Sequence, residues 1–399
     1  MAELEPAAAK LLQRICEADA SPVCVFDIPR EGGATYYSLR RIREYLAHGR
    51  GVVRLTCRKN GTLAGTAHYR DLSASISLPS LLDLLEPGDF PMPRFQTLLV
   101  NELVSWTLPL PAQEGRIPNG SGGPRWIPAI LEILGDLAIR WRVRYEFVAH
   151  DYFPVCPNFI LLNDAEQSRY CGVPSYEACE ACLAQSFMRE AFGSDFSLSS
   201  WRSVWDAFLG NARRVTFPSE AARRIFLRAF SGEGKRLTVI PHEPLVPALS
   251  SLTQNASPMH IVVVGQITVP KGAKIVRDLA LLLRERDIAA RMTLVGSLAA
   301  PGVTLPDSVT VTGPYEKEKL GEILQDIGAT VGLMPSVWPE TFNYVCQELM
   351  QLGLPLVCFD LGAPADRVRN WERGAVARDV SAEAALDALL GLTASITVD

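Results

Sequence analysis

The stretch that decides the fold is PSVWPETFNYVCQELMQLGLP, residues 335–355. It overlaps the apolar run ATVGLMP (329–335) at its start and LPLVCFD (354–360) at its end, and each run predicts a buried strand. Residues 343–352, between the two runs, have the periodicity of a helix. A strand, a helix and a second strand in this order predict a βαβ unit in a parallel sheet.

The same alternation of short apolar runs and longer helical runs continues in both directions along the chain. In the rest of the C-terminal part of the chain, strands are predicted at 259–265, 291–296 and 308–313, and helices at 272–286, 317–326 and 382–392. Toward the N-terminus, strands are predicted at 21–28, 51–57, 96–103, 144–150 and 213–219, and helices at 36–46, 128–139 and 220–230. The predicted fold class is α/β, with two Rossmann-like doubly wound domains.

Length and composition bound the organisation of the chain. A chain of 399 residues exceeds one ordinary core, and the polar, proline-containing stretch 241–258 suits a linker. We therefore predict an N-terminal domain over 1–245 and a C-terminal domain over 246–399.

The formal net charge of −5 predicts no broad attraction for nucleic acid. With no apolar run of about 20 residues and no signal-peptide layout, we expect a cytoplasmic location.

Two glutamates in the opening stretch carry the first functional hypothesis. Glu340 and Glu348 have seven residues between them. Eight helical steps would advance about 12 Å, so the two carboxylates would reach distant parts of one elongated ligand, such as a sugar nucleotide. The N–H groups of residues 342–344, at the predicted helix start, suit a diphosphate. The alternative is that Glu340 caps the helix and Glu348 is solvated.

The residues around these glutamates resemble a known family. Ser336, Pro339-Glu340, Glu348 and then Gly353-Leu354-Pro355 occur in the order found in retaining glycosyltransferases of family 4. The resemblance extends to VVVGQITVPKG (262–272), TLVG (293–296) and FDLGAP (359–364). It implies the GT-B fold, in which two Rossmann-like domains face each other across a cleft. It also implies sugar transfer from a nucleotide-diphosphate sugar with retention, and no metal for the chemistry.

The resemblance also implies roles for individual residues. It assigns the donor sugar to Glu340, the ribose to Glu348 and the donor diphosphate to Lys271. The wider donor-binding set that it implies is Gly265, Gln266, Gly313, Tyr315, Ser336, Thr341, Phe342 and Asn343. Base contacts are expected near Gly313 and Tyr315.

Two positions depart from the family pattern. Gln266 stands where the family usually has arginine, and a neutral amide stabilises leaving-group charge less well than a guanidinium. Asn343 stands where glycine is common, which leaves less space for the ligand. We therefore expect weaker stabilisation of the diphosphate than the family pattern provides.

The N-terminal half carries fewer candidate residues. Gly32 and Gly33 lie between a predicted strand and a predicted helix, where backbone can approach an acceptor closely. His150 and Asp151 end the strand 144–150. In the resembled family a histidine lies beside the reacting sugar, which implies a catalytic role for His150 together with Glu340 and Lys271. The alternative for His150 is a hydrogen-bonded core histidine.

A cysteine-rich insertion is predicted over about 152–185. Cys156, Cys171, Cys179 and Cys182 lie within it, and the last two form a C-x-x-C pair. Four thiolates suit a structural zinc, whose four protein ligands would leave no position for a catalytic water. The alternative is that the four thiols bind no metal, and the sequence leaves both open.

The acceptor and the wider context rest on family analogy. The expected acceptor is a growing bacterial surface polysaccharide or a lipid-linked saccharide, and such units often form modules of larger polymerising enzymes. The basic run over 30–59 is either a solvated helix face or a site for anionic lipid at the inner face of the membrane.

Two alternatives remain for the function: a sugar-nucleotide epimerase or phosphorylase of the same fold, and a non-catalytic module that binds sugar nucleotide or glycan.

Overall fold

The computed structural model describes residues 5–18, 21–29, 32–58, 62–78, 84, 92–106, 127–163, 169–186, 196–244 and 258–396. The chain divides into two compact units. The first comprises Met1–Phe159, Gly172–Pro218 and Arg223–Ile240, and the second comprises Ile160–Cys171, Ser219–Ala222 and Pro241–Asp399. The predicted insertion at 152–185 is therefore divided between the two units.

The first unit contains an eight-stranded sheet in the order β10-β9-β6-β5-β1-β2-β3-β4. The strands are β1 Val23–Asp27, β2 Val52–Cys57, β3 Leu63–Tyr69, β4 Leu72–Leu78, β5 Thr97–Val100, β6 Tyr145–Val148, β9 Arg214–Phe217 and β10 Leu237–Val239, while β7 Leu162–Asn163 and β8 Arg169–Tyr170 form a separate pair. From β10 to β2 the pairing is parallel. All five residues of β1 are buried, as expected for a central parallel strand covered on both faces.

Helices cover this first sheet. In the N-terminal part of the chain they are α1 Pro6–Glu17, α2 Gly33–Ala47, α3 Ile127–Trp141, α4 Tyr176–Ala184, α5 Leu198–Asn211 and α6 Glu220–Phe226. Ile42 and Tyr45 of α2 pack with Val23 and Val25 of β1 in one apolar cluster. The α2 helix is thereby held against the central strand, and its first turn lies beside the carboxyl end of β1.

The edge formed by β3 and β4 was not predicted from the sequence. These strands pair with each other and with β2 in the antiparallel sense. Their sequences, LAGTAHY and LSASISL, are rich in small and polar residues, and the alternation of β4 buries only Ile76 and Leu78. An edge strand with one solvated face has a weaker apolar signal than a buried parallel strand.

The second unit contains a six-stranded, wholly parallel sheet in the order β13-β12-β11-β14-β15-β16. Its strands are β11 His260–Ile267, β12 Arg291–Leu298, β13 Val309–Val311, β14 Val331–Met334, β15 Leu356–Phe359 and β16 Gly374–Ala377. Its helices are α7 Ala273–Glu285, α8 Leu320–Asp326, α9 Tyr344–Gln351, α10 Gly362–Arg369 and α11 Ala382–Ile396. Separate buried clusters cover the two faces, so the predicted doubly wound architecture is confirmed.

Element bounds differ from the predictions by a few residues. The helix predicted at 317–326 begins as a 3-10 turn, Lys317–Lys319, before α8, and the helix predicted at 343–352 is α9. Residues 245–257 of the predicted linker lie outside the described residues. Among the helices that the structure describes, none is both long and apolar enough to cross a bilayer.

Candidate functional site

Two loops at the carboxyl end of the second sheet pack directly on each other. Gly272, which precedes α7, has φ of +86°, and a Cβ atom there would lie 1.9 Å from the carbonyl oxygen of Pro335. The Val337 amide donates to the Pro270 carbonyl at 3.0 Å. Because only glycine allows this approach, the pair Lys271-Gly272 brings the lysine beside the segment that follows β14.

The carboxylate of Glu340 is the centre of this loop pair. Glu340 is 6% exposed, and its Oε1 accepts hydrogen bonds from the Ser336 hydroxyl and from Asn343 Nδ2, the latter at 2.7 Å. Its Oε2 lies 3.8 Å from Lys271 Nζ. Four of the residues singled out from the sequence therefore converge: Lys271, Ser336, Glu340 and Asn343.

Asn343 performs two tasks at the start of α9. Its φ of +73° lies in the left-handed region, which asparagine tolerates better than other non-glycine residues. Its side chain caps the helix by accepting from the Cys346 amide at 2.8 Å while it donates to Glu340. The asparagine thus adopts a backbone conformation that favours glycine and adds a hydrogen bond to the carboxylate.

Neighbouring residues that sequence reasoning missed support the same loop. Arg367 of α10 donates to the Asn343 carbonyl at 3.1 Å, and its guanidinium carbon lies 3.9 Å from the ring centroid of Phe342. His242 packs against Phe342 and Tyr344, with ring centroids 4.8 Å and 5.8 Å away. Arg367 follows the segment FDLGAP by only three residues, a spacing that on a helix returns to the same face and could have drawn attention to it.

Glu348 lies on α9, is 2% exposed, and has an Oε1 atom with no hydrogen-bond partner among the described residues. Burial raises the pKa of its carboxyl to about 7. Since α9 begins only at Tyr344, the 12 Å estimate from eight helical steps does not apply to the pair of glutamates. Leaving a buried oxygen unpaired costs about 1–3 kcal/mol, so this atom is suited to a ligand hydroxyl.

The remaining predicted donor residues are distributed around the strand ends. Gly265 of β11 pairs with Gly296 of β12, and a Cβ on Gly296 would lie 2.1 Å from the Gly265 carbonyl oxygen. Gln266 is exposed and Thr341 is buried. The Gly313 amide donates to the Gly296 carbonyl at 3.0 Å, and Tyr315 packs at the margin of an apolar cluster.

In the first unit, His150 joins a polar network at the carboxyl ends of three strands. Its Nε2 lies 2.8 Å from Asn101 Oδ1, and Asn101 Nδ2 donates to Asp27 Oδ1 at 2.7 Å. Asp27 ends β1, Asn101 follows β5 and His150 follows β6. Sequence reasoning missed Asp27 and Asn101, although each is a polar residue at the end of a predicted strand, where ligand-binding residues of such sheets occur.

Two carboxyl groups adjoin this network. The Glu102 side chain accepts from the Ser105 amide at 2.9 Å, and Asp151 accepts from the Phe153 amide at 2.8 Å. Burial raises the pKa of Glu102 to about 8, with the nearby Asp151 raising it further, and burial raises the pKa of Asp151 to about 7. Burial therefore favours the protonated, neutral form of both carboxyl groups.

The predicted glycine loop lies at the start of α2. Gly32 is the N-terminal capping residue of that helix, and its carbonyl accepts from the Tyr36 amide at 3.0 Å. A Cβ added at Gly32 would meet no atom of the described residues within 4 Å. Gly32 and Gly33 thus lie at the same strand-end edge as Asp27, with open space beside the backbone.

The cysteine prediction needs correction. Cys179 and Cys182 lie on α4, Cys156 lies in the turns after β6, and Cys171 follows β8. Within the described ranges, which include all four cysteines, no three Cys, His, Asp or Glu residues form a group that could hold a metal. Among the described residues, the zinc alternative is therefore not supported.

Part of the basic run turns out to serve internal contacts. Arg54 Nε donates to Asp27 Oδ2 at 2.5 Å, and Arg50 donates to the Ser21 carbonyl and to Thr97 Oγ1 at 2.8 Å and 2.7 Å. Arg40 and Arg41 pair with Glu44, and Arg43 and Arg58 are exposed. Arg30, Glu31 and Lys59 lie outside the described residues, and the lipid-site hypothesis stays a prediction.

Comparisons with known proteins agree with this architecture. Residues 258–395 match the family model described as glycosyl transferases group 1. No curated protein sequence matches the chain.

Three solved structures of similar fold each match 94% of this chain and 90% of their own length. They are Anabaena HepE in complex with UDP-glucose (13% identity, TM-score 0.54), Thermosynechococcus elongatus sucrose-phosphate synthase (16%, 0.58) and Burkholderia vietnamiensis alpha,alpha-trehalose-phosphate synthase (UDP-forming) (11%, 0.52). At these identities the likeness shows the fold, which is GT-B with two Rossmann-like domains.

Proposed function

Because residues 258–395 match the family model described as glycosyl transferases group 1, we propose that the chain transfers a sugar from a nucleotide-diphosphate donor to a hydroxyl acceptor, with retained anomeric configuration. The observation that carries the proposal is the convergence of Lys271, Ser336 and Asn343 on the Glu340 carboxylate, together with the buried, unpartnered Oε1 of Glu348 among the described residues.

Each of these groups has a role in donor binding under the proposal. Glu340 is anchored through Oε1 and directs Oε2 toward the ammonium of Lys271, so it orients a sugar hydroxyl beside a cation. Glu348 accepts a ribose hydroxyl through its unpartnered oxygen. Uridine diphosphate sugars are the first donors to test, because the HepE structure of similar fold holds UDP-glucose.

The chemistry requires charge stabilisation on the leaving nucleotide diphosphate. Departure of this group leaves oxocarbenium-like charge on the sugar and negative charge on the phosphate oxygens. Lys271 supplies a compact cation on a flexible stem, and the amide groups at the start of α9 supply oriented donors. With Gln266 at the end of β11, these two features carry a larger share of the stabilisation. His150 contributes from the first unit by lining the reacting face of the sugar.

The acceptor belongs to the same proposal and rests on family analogy alone. We place it among bacterial surface polysaccharides or lipid-linked saccharides, met at the inner face of the membrane or within a larger polymerising assembly. The exposed Arg43 of α2 supplies a cation for anionic headgroups in that setting.

A donor screen with product analysis tests the function. The chain is titrated with UDP, GDP and their glucose, galactose, mannose and N-acetylglucosamine conjugates, and the midpoint of thermal unfolding is followed. We expect one base to raise the midpoint, since a ligand that binds only the native state stabilises it. With that donor and a panel of saccharide acceptors, nucleotide diphosphate and an elongated glycan should appear together.

Other outcomes of this screen point to the alternatives. Consumption of inorganic phosphate or interconversion of the donor sugar would indicate a phosphorylase or an epimerase. Stabilisation without any turnover would indicate a binding module. No stabilisation by any sugar nucleotide would overturn the donor site itself.

A further inference from the structure

A buried carboxylate lies at the base of the His150 network. Asp27 is 0% exposed, and its Oδ2 accepts from Ser38 Oγ and Arg54 Nε, each at 2.5 Å. Its Oδ1 accepts from Asn101 Nδ2 at 2.7 Å. The Arg54 guanidinium compensates the charge, and the donors come from α2, β2 and the end of β5, which fixes the carboxylate in one orientation.

This arrangement decides which way the Asn101 amide points. Asn101 is 0% exposed, and its Nδ2 donates to the Ala34 carbonyl at 3.0 Å as well as to Asp27. A carboxylate oxygen and a backbone carbonyl oxygen can only accept hydrogen bonds. A flipped amide would place Oδ1 against two acceptors in a buried site, so Nδ2 faces Asp27 and Oδ1 faces His150.

The amide orientation in turn decides the protonation of the His150 ring. Asn101 Oδ1 lies 2.8 Å from His150 Nε2, and an amide oxygen has no proton to give. Nε2 must therefore carry the proton of this hydrogen bond, and in the neutral ring Nδ1 carries the lone pair. Tyr37 packs edge-on against the imidazole, with ring centroids 5.2 Å apart, and restricts its rotation.

We propose that Asp27 and Asn101 are positioning residues that hold His150 in its Nε2–H tautomer, so that a sugar hydroxyl meeting the ring at Nδ1 donates its proton in a hydrogen bond. The substrate part of this inference rests on the proposed transferase function. The tautomer part rests only on contacts within the first unit. The low dielectric around Asp27 and Asn101 strengthens these hydrogen bonds relative to exposed ones.

The tautomer is measured directly by two-bond ¹H–¹⁵N correlation on the full chain labelled at its five histidines. His260 is an internal reference of the opposite kind, because its Nδ1 lies 2.9 Å from the backbone carbonyl of Ile327. His150→Gln assigns the signal. At a pH where the ring is neutral we expect His150 in the Nε2–H form and His260 in the Nδ1–H form. An Nδ1–H form for His150 overturns the proposal.

Variants then test what sets the tautomer. Asn101→Leu removes the acceptor, and we expect His150 to lose its single Nε2–H form while the other four histidine signals stay in place. Asp27→Asn replaces the carboxylate with an isosteric amide, which removes the constraint on Asn101 and is the second test if Asn101→Leu does not fold. Asn211→Leu is the matched control on α5, since its side chain bonds only within its helix, to the Ala207 carbonyl at 3.1 Å. A folded Asn101→Leu or Asp27→Asn protein that keeps only Nε2–H overturns the proposal.

Kinetics separate this inference from the proposed function. We expect Asn101→Leu to lower kcat about 100-fold with little change in the donor KM, because ring misplacement affects the reacting geometry more than donor binding. A lost tautomer with unchanged kcat overturns the positioning role. A wild-type protein that shows the predicted tautomer but transfers no sugar overturns the proposed function and leaves the tautomer assignment intact.

Discussion

Each of the two units buries a carboxyl group, but the hydrogen bonds of the two groups are completed differently. Asp27 in the first unit is 0% exposed and accepts three hydrogen bonds from protein side chains. Glu348 in the second unit is 2% exposed, and its Oε1 lacks any partner among the described residues. The two carboxylates are about equally buried but differ in hydrogen bonding, which separates a group that orients its neighbours from the group that we propose as a ligand contact.

Glu340 lies between these two cases. Its Oε1 is held by Ser336 and Asn343, as a positioning carboxylate would be, whereas its Oε2 faces Lys271 Nζ at 3.8 Å, longer than a hydrogen bond. One oxygen of the Glu340 carboxylate is thus held by hydrogen bonds within the protein, and the other faces the side chain of Lys271. The comparison predicts that substitutions of these groups differ in the size of their effects on activity, stability and donor affinity.

The largest effect is expected at Glu340. Glu340→Gln keeps the shape but removes the negative charge beside Lys271, and we expect kcat/KM to fall about 10²- to 10³-fold. Release of nucleotide diphosphate measures it. Glu322→Gln, at an exposed glutamate of α8, is the control and should leave the rate unchanged. Equal rates for Glu340→Gln and the control would contradict a role in donor binding.

The largest loss of stability is expected when the Asp27 carboxylate is removed, because it accepts hydrogen bonds from three protein side chains. Asp27→Ala leaves Arg54, Ser38 and Asn101 without their acceptor, and we expect a loss of about 2–3 kcal/mol in the free energy of unfolding. Denaturant titration measures it. Glu316→Ala removes an exposed carboxylate that pairs with the exposed Lys319, so it should cost less than about 1 kcal/mol. A comparable loss of unfolding free energy in both variants would contradict the stabilising role of the Asp27 hydrogen bonds.

The Glu348 carboxyl, whose Oε1 has no hydrogen-bond partner among the described residues, should make donor affinity depend on pH. Burial raises its pKa to about 7, so the free protein holds it mostly protonated below that pH and ionised above it. An ionised carboxylate accepts hydroxyl hydrogen bonds more strongly, and donor affinity should therefore rise as pH rises through about 7. Glu348→Gln should weaken binding about 10-fold above pH 7 and flatten the profile between pH 6 and 8. Calorimetric titration with the donor checks both, and an unchanged slope in the variant would assign the pH dependence to another group.

The smallest effect is expected at Asn343. Asn343→Gly suits the backbone φ of +73° but removes the helix cap and the hydrogen bond to Glu340, and we expect a loss of no more than about 1 kcal/mol in unfolding free energy. Thermal unfolding measures it. If the variant also bound donor more tightly, the expectation that asparagine narrows the ligand space would be supported; a loss above 2 kcal/mol would show that the cap matters more than the comparison allows.

How much the sequence could predict varied with the kind of element. Buried parallel strands such as β11 and β15 are nearly continuous apolar runs, so their positions and the doubly wound order were predictable. The antiparallel edge β3–β4, made of small and polar residues, was not predictable from that pattern. The cysteine spacing could not choose between its two alternatives for a related reason, because proximity along the chain does not by itself make four thiols converge.

The sequence by itself determined the local chemistry of the second unit: the glycine beside Lys271, the Ser336-to-Glu348 spacing and the strand-and-helix alternation all lie within short stretches. Only the tertiary structure decided the partners of Asp27, Asn101 and His150. Asn101 lies 74 positions after Asp27, and His150 lies 49 positions after Asn101. They meet because parallel strands bring their carboxyl ends to one edge of the sheet. Contacts between distant strand ends depend on strand order and register, which local periodicity does not specify.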